Sequence, residues 1–227
     1  MLAQRLGNSI NSTDAWYPTD GENLAAFWEF KRLGNSNISS VDTWLDTGER
    51  GRNLVQETEG NQPSYVGATG AVVFYGSDHL STDSSFNLTG GFVVGFRLSF
   101  DALSNEVLLA SNTTANNFIR VVDLDTINVK FGGTLGTIDF NTGTDFTTDG
   151  EKYSVVIARN DSDVVYVYID GERQTDTVTK SGTFVVDTIG VRATDTNDFE
   201  GSMFECVIYN SFNAQKITEL NTRLNSL

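Results

Sequence analysis

Apolar and polar residues alternate with period two along much of this chain, the signature of half-buried strands. Residues 91–100 carry it most plainly: Phe92, Val94, Phe96, Leu98 and Phe100 fall on one face, opposite Val93, Gly95, Arg97 and Ser99. The β-branched and aromatic run from Val164 to Ile169 leads into Asp170-Gly171, a pair that readily takes the positive φ of a tight hairpin. The strand before it joins through the polar turn Asn160-Asp161-Ser162-Asp163. Strands are predicted over 24–30, 41–46, 71–75, 91–100, 106–110, 118–122, 127–131, 153–158, 164–169, 184–191 and 203–209. Clusters of Asn, Asp, Gly and Thr separate them, at the spacing of an all-β, two-sheet antiparallel sandwich or jelly roll. One helix is predicted, at the C-terminus. Asn213 caps it, Ala214 begins it, and Ile217, Leu220 and Leu224 form its apolar stripe, expected to lie across a rim of the sandwich.

Composition narrows the picture. The 227 residues suit a single sandwich, and 39% hydrophobic content with 15 Phe supplies a core. Thirty acidic residues stand against 15 basic, a net charge of -15, which argues against nucleic acid or an anionic membrane as partner. No apolar run reaches the roughly 18 residues a membrane helix needs. The first residues have neither a basic nor an apolar signal region, so no cleavable secretory signal is expected. The single cysteine excludes an internal disulfide and a multi-cysteine metal site. Cys206 is read as a small buried hydrophobe sharing a face with Phe204 and Ile208, opposite Val207 and Tyr209.

Residues 1–22 are polar and irregular, and are divided from a sandwich over 23–227 as an N-terminal arm. Leu2, Leu6 and Ile10 recur every four residues, which suits a short helix or a segment docking on a partner. Arg5-Leu6-Gly7-Asn8-Ser9 recurs as Arg32-Leu33-Gly34-Asn35-Ser36. Two copies do not make a repeat architecture, which needs about three.

The order of several short motifs resembles a known group. These are Phe27-Trp28-Glu29-Phe30, Trp44-Leu45-Asp46-Thr47-Gly48, Arg52-Asn53-Leu54-Val55-Gln56 and Gln62-Pro63-Ser64-Tyr65, then Asn117-Phe118-Ile119-Arg120, Tyr168-Ile169-Asp170-Gly171 and Phe199-Glu200-Gly201. Together they are similar to the concanavalin A-like, laminin G-like jelly-roll domains of tailed-bacteriophage structural proteins, over about residues 23–225. The resemblance implies two packed antiparallel sheets, one curved. It implies service as a carbohydrate-binding module, an adhesive fibre part or an outer-surface decoration of a virion.

Candidate chemistry is sparse. Glucanases of the resembled superfamily carry a Glu-x-Asp-x-x-Glu strand, and no glutamate here begins Glu-x-Asp. His79, the only histidine, sits in a loop beside Ser77 and Asp78 without a Gly-x-Ser-x-Gly elbow, and is read as a surface residue. Calcium is the metal the resemblance suggests. Its candidate ligands are Asp123/Asp125, Asp161/Asp163 and, foremost, Asp195, Asn197 and Asp198, none forming a twelve-residue calcium loop; Asp161 and Asp163 also suit a plain turn. Sugar binding needs an exposed ring with polar neighbours. Trp16 and Tyr17 in the arm, with Trp44, are the candidates, against the ordinary role of sandwich aromatics as packing. Triplets such as Asn37-Ile38-Ser39 and Asn87-Leu88-Thr89 are what so much Asn, Ser and Thr produces by chance.

The leading expectation is a non-enzymatic virion component: a capsid decoration or accessory protein on a tailed phage, made in the host cytoplasm and displayed outside. It would dock through Leu2, Leu6 and Ile10 and a sandwich edge on major capsid or tail proteins, as a homo-oligomer or lattice-bound, with no required cofactor. The alternative is a carbohydrate-binding adhesion module that recognises host surface polysaccharide.

Overall fold

β-Branched and aromatic residues at alternate positions need two partners, a neighbouring strand for the backbone and a second layer for the side chains. The computed structural model, which describes residues 16–48, 50–193 and 198–227, supplies both. The strands in chain order are β1 (Leu24–Glu29), β2 (Thr43–Trp44), β3 (Leu54–Val55), β4 (Ser64–Val66), β5 (Ala71–Phe74) and β6 (Leu80–Leu88). Then come β7 (Phe92–Phe100), β8 (Glu106–Ala110), β9 (Asn117–Val121), β10 (Thr126–Phe131) and β11 (Gly136–Asp139). The last are β12 (Tyr153–Arg159), β13 (Val164–Ile169), β14 (Glu172–Arg173), β15 (Val178–Thr179), β16 (Phe184–Ile189) and β17 (Gly201–Tyr209), before α1 (Ala214–Leu224).

A nine-stranded sheet runs β14-β13-β12-β7-β17-β5-β4, with β1 also paired to β17 and β15 to β13. The second sheet has eight strands in the order β11-β10-β9-β8-β16-β6-β3-β2. Every pairing is antiparallel, so the predicted all-β two-sheet sandwich is the observed architecture. The inward row of β7, from Phe92 to Phe100, is fully buried against Ile119, Val129 and Phe131 of the opposite sheet. Phe92 meets Phe131 edge-on at 5.2 Å between centroids. Burying each such ring stabilises the fold by roughly 1.5–3 kcal/mol.

The predicted turns are present. Asn160 Oδ1 accepts from the Ser162 and Val164 amides, both at 2.9 Å, and Asp163 has φ of 62°. Asp170 and Gly171 have φ of 51° and 86°, closing the β13–β14 hairpin. At the end of β12, the fully buried Arg159 donates to the carbonyls of Gly90 at 2.6 Å and Gly182 at 2.7 Å. Its guanidinium thereby closes one rim of the sandwich over Phe92.

Two expectations are corrected, and one long strand had no counterpart in the sequence reading. A register shift between Met203 and Glu205 places Met203 in the main core with Cys206 and Ile208, while Phe204 joins Ala71 and Val73 in a separate cluster. Cys206 is buried as read, but Phe204 does not share its face. Strand β6 was not foreseen, because Ser81, Asp83, Ser85 and Asn87 alternate with an inner row diluted by Thr82 and Ser84. Helix α1 lies on the outer face of the nine-stranded sheet rather than across a rim, with contacts to β7 and β12. Gly95 permits this: a Cβ there would come within 2.5 Å of Leu220 Cδ2 and 3.0 Å of Leu224 Cδ1. The cap is as predicted, Asn213 Oδ1 accepting from Gln215 N at 2.8 Å.

Candidate functional site

Residues 16–22, assigned by sequence to the arm, pack on the sandwich. The Tyr17 ring stands edge-on to Phe27 at 5.4 Å, and Trp16 lies 6.3 Å from the Tyr209 ring. The Tyr209 hydroxyl donates to the Pro18 carbonyl at 2.8 Å. Gly21 allows this close approach, since a Cβ there would meet Tyr209 Cε1 at 2.9 Å.

The loop after β2 forms the facing wall. Asp46 Oδ1 accepts from Phe27 N at 2.9 Å and Gly48 N at 2.8 Å, and Oδ2 accepts from Arg52 N at 3.0 Å. One carboxylate thus ties three backbone amides and holds the loop beside β1. Between loop and arm opens a cleft of about 570 Å³ lined by Tyr17, Asn23, Glu29, Arg32, Thr47 and Arg50, among others.

Glu29 forms its floor and is only 4% exposed. Its Oε1 accepts from the Tyr17 hydroxyl and, at 3.3 Å, from Thr47 Oγ1. Its Oε2 has no hydrogen bond and lies 3.8 Å from Arg223 Nη2. Because the carboxylate takes both hydroxyl protons, the Tyr17 and Thr47 oxygens can act only as acceptors towards other groups. Arg32 uses one of them, its Nε donating to Thr47 Oγ1 at 3.1 Å. The short helical turn Phe30–Leu33 ends β1 and carries Arg32 to the lip. Burial, then the hydrogen bond to Glu29, pushes the Tyr17 hydroxyl well above its ordinary pKa, so it stays a neutral donor.

Below the floor is a buried charge cluster. Arg223 of α1 grips Glu205 of β17 through Nε at 2.6 Å and Nη2 at 2.7 Å, and its guanidinium lies 4.5 Å from the Tyr17 ring centroid. Burial raises the Glu205 pKa, opposed by the bonds from Arg223. Burial also works against the Arg223 charge, but the Glu205 contact outweighs it and the net shift is upward. This cluster holds the helix and the arm to the sheet, and the cleft walls rest on it.

The predicted site residues are distributed unevenly. Leu2, Leu6 and Ile10 lie outside the described residues, as do Asp195 and Asn197; Asp198 is described and half-buried. Trp16 and Tyr17 are half-buried rather than freely exposed, since Tyr209 and Phe27 hold their rings. Trp44 is fully buried, its Nε1 donating to the Glu29 carbonyl at 2.9 Å, so it is core and no platform. Asp123 and Asp125 cap their own turn, and Asp161 and Asp163 stand in a hairpin turn. Among the described residues no group of three or more His, Cys, Asp or Glu could hold a metal ion. His79 Nε2 pairs with Gln56 Nε2 at 2.8 Å in a rim loop. The prediction missed Glu29, Arg32, Thr47 and Arg50. One signal was there: Glu29 and Glu205 are carboxylates embedded in apolar strands, where an unpaired charge is costly.

No protein-family model and no curated protein sequence matches the chain. Solved structures do. A sialidase of Trypanosoma rangeli, in complex with sialic acid, is 15% identical with a TM-score of 0.59, over 92% of this chain and 33% of that one. An arabinofuranosidase complexed with arabinofuranosyl-alpha-1,2-xylobiose is 14% identical with a TM-score of 0.57, over 82% and 51%. Domain 4 of AbnA, an extracellular arabinanase of Geobacillus stearothermophilus, in complex with arabinotriose, is 16% identical with a TM-score of 0.51, over 88% and 98%. The chain spans a third to a half of the first two and nearly all of the third. At these identities the likeness shows the fold, a jelly-roll-like β-sandwich of the kind found in glycan-binding and glycosidase chains. The expectation that the chain is not an enzyme is corrected here. Sialidase and arabinofuranosidase chains contain this fold, so a missing Glu-x-Asp-x-x-Glu strand does not set the chain apart from glycosidases.

Proposed function

We propose that the chain is a carbohydrate-binding module whose ligand seats in the cleft between Tyr17, Asn23, Arg32, Thr47 and Arg50. The observation that carries this reading is the convergence of Tyr17 with several polar and charged side chains in one open cleft of about 570 Å³. A sugar has an apolar ring face and a belt of hydroxyls. Tyr17 offers ring surface, Asn23 an amide, and the arginines donors. Glu29 holds the Tyr17 and Thr47 hydroxyls in place, so little ordering remains for a ligand to impose. The likeness to an arabinanase domain solved with arabinotriose supports the reading.

A glycan array with and without calcium, followed by calorimetry and by assays for turnover, is the test. Dissociation constants of about 1 mM or tighter, weakened in Tyr17→Ala, are expected. Silence across the array, or equal affinity in Tyr17→Ala, overturns the reading.

The sequence resemblance supplies a setting: the outer surface of a tailed-phage particle, among capsid or tail proteins, with host polysaccharide as the ligand. The solved chains named above favour the glycan-binding alternative over pure decoration. Binding of the purified chain to particles that lack it tests the setting, and no binding would refute it.

A further inference from the structure

Resting on that reading, we infer that the cleft selects acidic glycans, whose carboxylate or sulfate docks on Arg32 and Arg50 while Tyr17 and Asn23 meet the hydroxyls. The chain as a whole repels polyanions, at 30 acidic residues to 15 basic. The cleft departs from that average. Arg32 and Arg50 are exposed on its lip, and neither makes an ion pair with a described residue.

Among the described residues that line the cleft, the one carboxylate does not cancel them. Glu29 is 4% exposed and already engaged by Tyr17, Thr47 and Arg223. A third guanidinium lies alongside: Arg52 donates to the Ala25 carbonyl at 2.7 Å and, with Arg50, lines a smaller recess next to the cleft. Burial, then the charge of Arg50, lowers the Arg52 pKa, against the opposing pull of the Asp46 carboxylate. A guanidinium meets a carboxylate or sulfate through paired N–H donors, a geometry a neutral hydroxyl does not reproduce.

Calorimetry of the full chain at low salt would compare oligogalacturonate with its carboxyl-reduced counterpart, and a sulfated oligosaccharide with its desulfated form. The acidic member of a pair should bind about tenfold or more tightly. That preference should shrink as salt rises. In the double variant Arg32→Gln, Arg50→Gln the acidic-to-neutral ratio should fall towards one, with the fold checked by circular dichroism. If wild type binds both members equally and Tyr17→Ala weakens both, the acidic preference is wrong while the cleft stands. If the preference persists in the double variant, its assignment to these arginines is wrong. Binding of no glycan overturns the underlying reading and this inference together.

Discussion

Glu29 and Glu205 stand directly opposite one another on neighbouring antiparallel strands, and Arg223 reaches both. The two carboxylates are 4% and 0% exposed, so their mutual repulsion is felt in a poorly screened environment. One guanidinium from the last turn of α1 resolves it. The helix that covers the sheet is thereby tied to the edge strand that floors the cleft.

Removing that cation leaves two buried carboxylates facing each other. Arg223→Ala should lower stability by about 3–5 kcal/mol, read from urea unfolding. A loss no larger than that of a surface substitution would mean the cluster contributes little.

Trp44 should behave as core. Trp44→Phe removes the buried hydrogen bond to the Glu29 carbonyl and should cost about 1–3 kcal/mol. Glycan affinity measured on folded protein should change far less than in Tyr17→Ala; the reverse ranking would restore Trp44 as a platform.

Gly95→Val tests the seat of the helix. The added carbons collide with Leu220 and Leu224, and overpacking of this kind costs about 1–3 kcal/mol. Proteolysis within residues 214–227 should accelerate while the strands stay protected. Unchanged cleavage would show that the side chains yield without lifting the helix.

Asp187 sets a pH dependence. Burial raises its pKa, against the hydrogen bonds from Asn112 N at 2.6 Å and Ser111 Oγ at 3.2 Å. A carboxylate with a raised folded-state pKa binds its proton more tightly in the native chain than in the unfolded one. Its contribution to stability therefore grows as pH falls from neutral and is complete below the unfolded value, about 3.9. Asp78, Glu106 and Glu205 shift the same way, each led by burial. Asp187→Asn should flatten the slope of unfolding free energy between about pH 4 and 7, and an unaltered slope would refute the assignment.

Much of the fold was legible from residue order. The alternation in β7, the Asn160–Asp163 and Asp170-Gly171 turns and the Asn213 cap are local patterns. Each forms for reasons contained within a few residues: side-chain period, tolerance of positive φ, an amide to satisfy. The polar strand β6 was not legible, because its pairing with β16 rather than its own apolar content makes it a strand. The register shift in β17 was equally hidden, and with it the face of Phe204.

The cleft was the least legible part. Tyr17 was named from sequence, but its partners Glu29, Arg32, Thr47 and Arg50 come from the edge strand, the turn that ends it and a distant loop. The chain order by itself determined that this would be a two-layered antiparallel sandwich with a capped terminal helix. Only the tertiary structure decided that Trp44 is buried, that Arg223 joins Glu29 to Glu205, and that Arg32 and Arg50 line one cleft with Tyr17. Strand and turn preferences act over neighbouring residues, whereas the burial and pairing of charges depend on which segments packing brings together.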